Sequence, residues 1–104
     1  VYMQYTLKMI VSFTHKGLKL KWTKGDKSKL PPAMVNKISR LLYLIDNLEI
    51  LPDDLQGLNN LRPHLLKGDL KDYWSITVTG NWRIIFQFDN KTHEASILDF
   101  IDYH

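Results

Sequence analysis

Four places in the sequence carry side chains that can hold a charge or move a proton. RPHLLKGD contains His64 and Lys67, TGNWRIIF contains Asn81 and Arg83, and the last three residues are Asp102, Tyr103 and His104. The fourth is a set of lysines, Lys16, Lys19, Lys21 and Lys24. Arg83 is the sharpest clue. It stands between Trp82 and Ile84 in an alternating stretch, so its side chain is expected on the sheet face opposite theirs. An arginine on a sheet surface offers five donors in a planar fork, a shape that suits phosphate. The same pattern also fits an ordinary exposed arginine paired with Asp99 or Asp102 across strands. His64 taken alone reads as a surface or hydrogen-bonded histidine as readily as a base. Lys67, just before Gly68, reads as a solvated turn residue.

The closing SILDFIDYH is apolar almost to its end. A strand of that kind is expected to be held against a sheet rather than frayed. Alternation leaves two arrangements open. Asp102 and His104 share one face with Tyr103 on the other, or the chain turns after Ile101.

Other chemistries fit worse. The chain has no cysteine, which excludes a disulfide, a thiolate nucleophile and a cysteine zinc site. Its four histidines (His15, His64, His93 and His104) lack metal-ligand spacing. There is no phosphate-binding glycine loop. A chain of 104 residues has no cleft for a sugar polymer, whatever its carboxylates. What remains is a set of Arg, Lys, His and Tyr with no metal or cofactor expected. That set suits phosphodiester cleavage in RNA. A base takes the 2′-hydroxyl proton, cations stabilise the charge on the phosphoryl oxygens, and an acid protonates the leaving 5′-oxygen.

Charge distribution agrees with a polyanionic partner on one side. Residues 1–30 hold seven lysines and one aspartate, whereas the other 74 residues hold seven basic and ten acidic groups. A lysine-rich helix that is merely solvated gives the same count. No apolar run approaches the roughly 18 residues that span a bilayer, and no signal-peptide pattern is present. Together with the lack of cysteine this points to the cytoplasm.

These groups must be positioned by a single small domain, expected over residues 9–104. Residues 1–8 precede Met9 and are set apart as an upstream extension or expression remnant. MIVSF, residues 9–13, reads as a strand. Thr14 is a candidate cap for a helix with Leu18 and Trp22 buried, Lys16, Lys19 and Lys24 in water, and Gly25 at its end. After KSKLPP, the residues Met34, Ile38, Leu41, Leu42, Ile45 and Leu48 keep helical period over about four turns. The second half changes period. In YWSITV, Trp74, Ile76 and Val78 share a face opposite Ser75, Thr77 and Thr79. After a turn at Gly80-Asn81, Trp82, Ile84, Phe86 and Phe88 share a face opposite Arg83, Ile85 and Gln87. DNKT is a second turn, and EASILDFI is apolar on both parities, as in a strand covered on both sides. A short strand near residues 65–66 is possible. The order β-α-α-β-β-β(-β) predicts an α+β fold, two helices packed on a small curved, mainly antiparallel sheet.

FTHKGLKLKW, HLLKGDLKDYWSITVTGNWRIIFQF and the closing DYH, in this order, resemble the HigB toxins, the plasmid-maintenance killer-protein family of the RelE-like superfamily. The resemblance spans residues 9–104. It implies a microbial-ribonuclease-like domain that enters the ribosomal A site and cuts messenger RNA without a metal. It also implies a helix-turn-helix antitoxin, HigA-like, with which the toxin represses its own operon, so that operator DNA is met only through that complex. The family's functional positions fall on His64, Lys67, Asn81, Arg83, Asp102, Tyr103 and His104.

By resemblance, Arg83 would contact the scissile phosphate. Lys67 would add charge there or act as base. Tyr103 or His104 would orient the 2′-hydroxyl or supply the proton, with Asp102 positioning one of them. His64 would be a base or a stacking partner, Asn81 a residue that shapes the site. The lysines of the first helix would dock on ribosomal RNA. One departure is that relatives often read H-P-L-K-G where this chain has P-H-L-L-K-G. Pro63 therefore restricts the approach to His64. Two rivals remain open: a ParE-like toxin of the same scaffold that acts on DNA gyrase without cutting RNA, and a plain RNA-binding module stacking bases on Trp74 or Trp82. The rivals differ in two features, presence of the catalytic set against the first and expected burial of both tryptophans against the second.

Overall fold

The computed structural model describes residues 9–103. The expected extension 1–8 and His104 lie outside the described residues. Two helices, α1 (Lys16–Lys24) and α2 (Val35–Asp46), precede strands β1 (His64–Leu65), β2 (Trp74–Thr79), β3 (Trp82–Asp89) and β4 (Glu94–Asp102). The strands form one antiparallel sheet in the order β1-β2-β3-β4. This is the α+β layer pair that the change of period predicted, with both helices on one face.

Helix α1 begins one residue later than its sequence suggests. Thr14 is still engaged in the sheet, donating its N–H to the Leu98 carbonyl at 2.8 Å. The cap is His15, in extended backbone, whose Nδ1 accepts the Leu18 N–H at 3.2 Å. The helix ends as predicted on Gly25, at φ 71°, a left-handed conformation that glycine adopts without steric cost. Gly25 and Asp26 donate their N–H groups to the carbonyls of Lys21 and Leu20 in the last turn. Helix α2 follows a 3-10 turn, Pro32–Met34, with Pro32 at its first position where no N–H is needed. Val35, Ile38, Leu41, Leu42 and Ile45 are buried along one stripe of α2. Each such side chain contributes roughly 2 kcal/mol on burial, more than propensity supplies to a helix of this length.

The expected strand at residues 9–13 is not a strand. It runs parallel to β4 and touches it through two isolated bridges, Ile10 with Ala95 and Phe13 with Leu98. Between them the Ser12 Oγ accepts the Ile97 N–H at 2.8 Å, where Ile97 has a positive φ of 48°. A side chain thus takes a ladder position, and the pairing cannot run on regularly. The Asp46 carboxylate at the end of α2 accepts the Ile10 N–H, tying this segment to the helix layer.

The register is irregular at two places, between Thr77 and Thr79 and between Ile85 and Gln87, and irregularities of this kind bend a strand locally. Ile76, Val78, Ile84, Phe86, Leu98 and Phe100 face the helices and pack with Leu18, Ile38, Leu42 and Ile45. Trp82 stacks on Phe100 with centroids 4.7 Å apart, and the His15 ring meets the same phenylalanine edge-on at 5.7 Å. Trp74 and Trp82 pack against the core but are half-buried, not enclosed as expected. The loop after α2 is tied to the β3–β4 turn by Asn90, whose side-chain amide both accepts from and donates to the Leu51 backbone at 2.9 Å. Within that loop Asp54 accepts the N–H groups of Glu49 and Ile50, which holds its carboxyl below the ordinary aspartate range.

Two substitutions test this account. A Cβ at Gly17 would lie 2.9 Å from the Lys29 carbonyl oxygen and 2.8 Å from the capping His15 ring. Gly17→Ala should therefore lower the urea midpoint, a loss of about 1–3 kcal/mol, although alanine is the better helix former. Asp54 has a lowered folded pKa, so its contribution is present above the unfolded value and lost as pH falls through the folded one. Asp54→Ala should be less stable than wild type at pH 7, and the two melting curves should converge at acid pH below the ordinary aspartate range.

Candidate active site

The helices cover one side of the sheet, so the chemistry-bearing residues must be sought on the other. Residues directly opposite one another in a sheet share a face. One row across the sheet is His64, Ser75, Ile85 and Asp99, and the next is Thr77, Arg83 and Ile101. His64 and Arg83 thus lie on the same face, two strands apart and one row offset. Strand spacings of about 4.8 Å and a rise of about 3.3 Å per residue put their Cα atoms roughly 12 Å apart. Side chains of this length can approach a phosphodiester from both sides of such a gap.

Arg83 keeps the predicted parity but not the predicted exposure. Its residual accessibility is 9%, so it is not a guanidinium spread on an open surface. The second face is itself partly covered. Leu66 and Ile85 are buried there apart from the main core, and Ser75 and Thr77 are buried beside them. One guanidinium nitrogen of Arg83 donates to the Gly80 carbonyl at 2.7 Å and more weakly to the Trp82 carbonyl at 3.4 Å. The arginine therefore folds back along the β2–β3 turn. Its Nε, together with Ser75 Oγ and Thr77 Oγ1, is buried without a hydrogen-bond partner among the described residues. Each unpaired hydroxyl of this kind costs about 1–3 kcal/mol.

The remaining candidates distribute unevenly. His64 is exposed on edge strand β1. Pro63 keeps Arg62 out of the right-handed helical region, and Arg62 takes a positive φ of 47°. That turns its carbonyl toward the histidine, whose Nδ1 lies 2.9 Å away. A carbonyl only accepts, so Nδ1 carries the proton, and Nε2 is the lone-pair nitrogen of the neutral ring. Lys67 is exposed just past Leu66, whose N–H pairs with the Tyr73 carbonyl and ends the edge strand. It therefore leaves the sheet on the same edge as His64.

Asp102 is opposite Trp82 and so belongs to the helix-side face, not the face of Arg83. Tyr103 is exposed, and its N–H donates to the Asn81 carbonyl at 2.8 Å, which fastens the end of β4 to the β2–β3 turn beside Arg83. His104 lies outside the described residues. Lys16, Lys19 and Lys24 are exposed and Lys21 half-buried on α1, in the helix layer and away from the Arg83 face. Among the described residues no group of three or more His, Asp or Glu side chains could hold a metal.

Ser75, Thr77 and Ile85 were not singled out in the sequence as site residues. In an alternating strand, Ser and Thr on the polar parity read as solvent-facing. The available signal was Ile85, an apolar residue on that same parity, which marks a second covered face.

A family model described as the RelE-like toxin of the type II toxin-antitoxin system HigB matches residues 11–104. The chain belongs to the HigB-like toxin family. It is 47% identical over 96 residues to the protein named endoribonuclease HigB of Proteus vulgaris, covering 92% of this chain and 100% of that one. Among solved structures it is similar to a chain of the YoeB–YefM complex from Staphylococcus aureus, at 25% identity and a TM-score of 0.56, covering 95% of this chain and 99% of the other. A HigB-like toxin is one half of a type II pair, so an antitoxin partner comes with membership.

The junction of Tyr103 with Asn81 can be tested for this HigB-like chain. Removing Tyr103 and His104 deletes the Tyr103–Asn81 backbone hydrogen bond and, among the described residues, no core side chain. Urea unfolding should show a loss of about 1 kcal/mol or less, with the near-UV spectrum of the stacked Trp82 unchanged.

Proposed function

We propose that this toxin is a ribosome-dependent endoribonuclease that cleaves messenger RNA in the ribosomal A site. The observation that carries the reading is the position of Arg83. It stands on the helix-free face, with His64 and Lys67 on one flank and Tyr103 on the other. This is the arrangement needed to bracket one phosphodiester. The kinship with a protein named endoribonuclease supports the same chemistry.

In this reading Arg83 releases the Gly80 carbonyl and donates to the non-bridging oxygens of the scissile phosphate. Charge builds there as the 2′-oxygen attacks. Lys67 adds a second cation at the edge. His64, with Nδ1 protonated, presents Nε2 as a base or stacks on an unstacked nucleobase. Tyr103 or His104 orients the 2′-hydroxyl or protonates the leaving 5′-oxygen. Asn81 acts through its backbone, holding Tyr103 in place. Asp102, on the opposite face, positions the end of the chain and does not meet the phosphate. The cations supply the charge stabilisation for which other nucleases use a metal. The ribosome orients the message, which lowers the demand for tuned side chains.

The lysines of α1 lie on a different side from the cleavage face, as a docking surface for ribosomal RNA would. Contacts of that kind weaken with salt. The cytoplasm is the compartment in which such a target is met, and among the described residues no helix is long and apolar enough to cross a membrane. The antitoxin is HigA-like, a helix-turn-helix protein, and operator DNA is reached through the toxin–antitoxin complex.

The test is 3′-end mapping of a defined messenger with the purified toxin, with and without translating ribosomes. Cuts confined to A-site codons, and only with ribosomes, are expected. Arg83→Ala should stay folded and lose about 10²–10³-fold in cleavage rate, the effect of removing one oxyanion donor. A toxin that arrests growth but cuts no RNA in either tube would instead be a ParE-like protein on the same scaffold.

A further inference from the structure

The three orphaned polar atoms are neighbours. Thr77 is the cross-strand partner of Arg83, and Ser75 lies two residues along the same strand, between His64 and Ile85. Ser75 is fully enclosed, and Thr77 and Arg83 are 8% and 9% exposed. Native interiors hold few such groups, and unpaired atoms gathered in one patch call for a partner. Alanine and valine would fill the same space without stranding a hydroxyl, so packing does not explain the choice.

We infer that Ser75 Oγ, Thr77 Oγ1 and Arg83 Nε form a seat for the oxygens of an RNA phosphate, closed in the free protein by Arg83 itself. The inference rests on the RNA-cleaving reading and deepens it by naming what holds the phosphate beneath the arginine. Nε can only donate, and both hydroxyls can donate, so the missing partner is an acceptor. The positive guanidinium makes an anion the preferred one. Ser75 and Thr77 are roughly 7 Å apart along the strand. Two hydrogen bonds of about 2.7 Å joined through one phosphoryl group span that distance.

In the free protein the guanidinium is occupied by the neutral Gly80 carbonyl. A phosphate offers charge-assisted bonds, which are stronger. The arginine exchanges one acceptor for the other, moves off Thr77, and uncovers both hydroxyls. Binding and opening are then one event.

The experiment uses the full chain, the variants Ser75→Ala, Thr77→Val and Thr77→Ser, and inorganic phosphate as probe. The chain has three arginines, Arg40, Arg62 and Arg83, so the Arg83 Nε–H signal can be followed by NMR. Phosphate is expected to shift that signal in wild type and to bind several-fold more weakly in Ser75→Ala and Thr77→Val. Thr77→Ser should restore wild-type binding. The melting temperatures of the alanine and valine variants should stay level or rise, because an unpaired hydroxyl is removed, while their cleavage on translating ribosomes falls tenfold or more. An Arg83 signal indifferent to phosphate, or identical titrations in wild type and variants, overturns the seat. A wild type that binds phosphate through these residues but cuts no RNA overturns the nuclease reading and leaves the seat standing.

Discussion

The alternation of β3 is the constraint on which this protein depends. Trp82, Ile84 and Phe86 are drawn toward the helices by burial, and the pleat then has no choice about Arg83. A slip of one residue in the β2–β3 or β3–β4 pairing would send the arginine into the core and three large side chains into water. Such a slip is strongly opposed, since burial of each large side chain is worth roughly 2 kcal/mol. The stack of Trp82 on Phe100 reinforces the register at the end of the strand nearest the site. Apolar packing on one face thus holds a cation on the other to a fixed place.

The second face carries the opposite balance. It has a small apolar patch of Leu66 and Ile85, but it also encloses hydroxyls and a guanidinium nitrogen that have no hydrogen-bond partner among the described residues. A protein that needed only stability would have closed that face with aliphatic residues. Local violations of otherwise consistent packing gather where function requires them. The main core tolerates the cost because it is complete without these residues, with buried side chains from both helices and three strands.

The end regions of the sheet are held by short, irregular sets of bonds rather than by continuous ladders. The segment at residues 9–14 meets β4 through two isolated bridges, with backbone hydrogen bonds to Ala95 and Leu98, and through the Ser12 side chain on Ile97. Beyond β4, Tyr103 is tied by one bond to the Asn81 carbonyl. The Gly80-Asn81 turn therefore serves two site residues, through the Gly80 carbonyl for Arg83 and the Asn81 carbonyl for Tyr103. Site geometry and turn geometry are coupled, and the backbone oxygens of a two-residue turn do the coupling.

By itself the sequence determined the elements and their faces, because burial periodicity is a local property. The stripe of α2, the glycine that ends α1, both turns and the parity of Arg83 could be read directly, as could the family, from HLLKGD, NWRI and DYH. It did not determine where pairing fails or what a polar parity faces. The cap of α1 is His15 rather than Thr14, at a point where the N–H groups of both residues are held by the Leu98 carbonyl, 84 residues away from Thr14. Asp102 falls on the helix-side face because its partner across the sheet is Trp82. Ser75, Thr77 and Arg83 are buried on a second face that also buries Leu66 and Ile85. Alternation says which residues share a face, but only the packing of distant segments decides whether that face meets water.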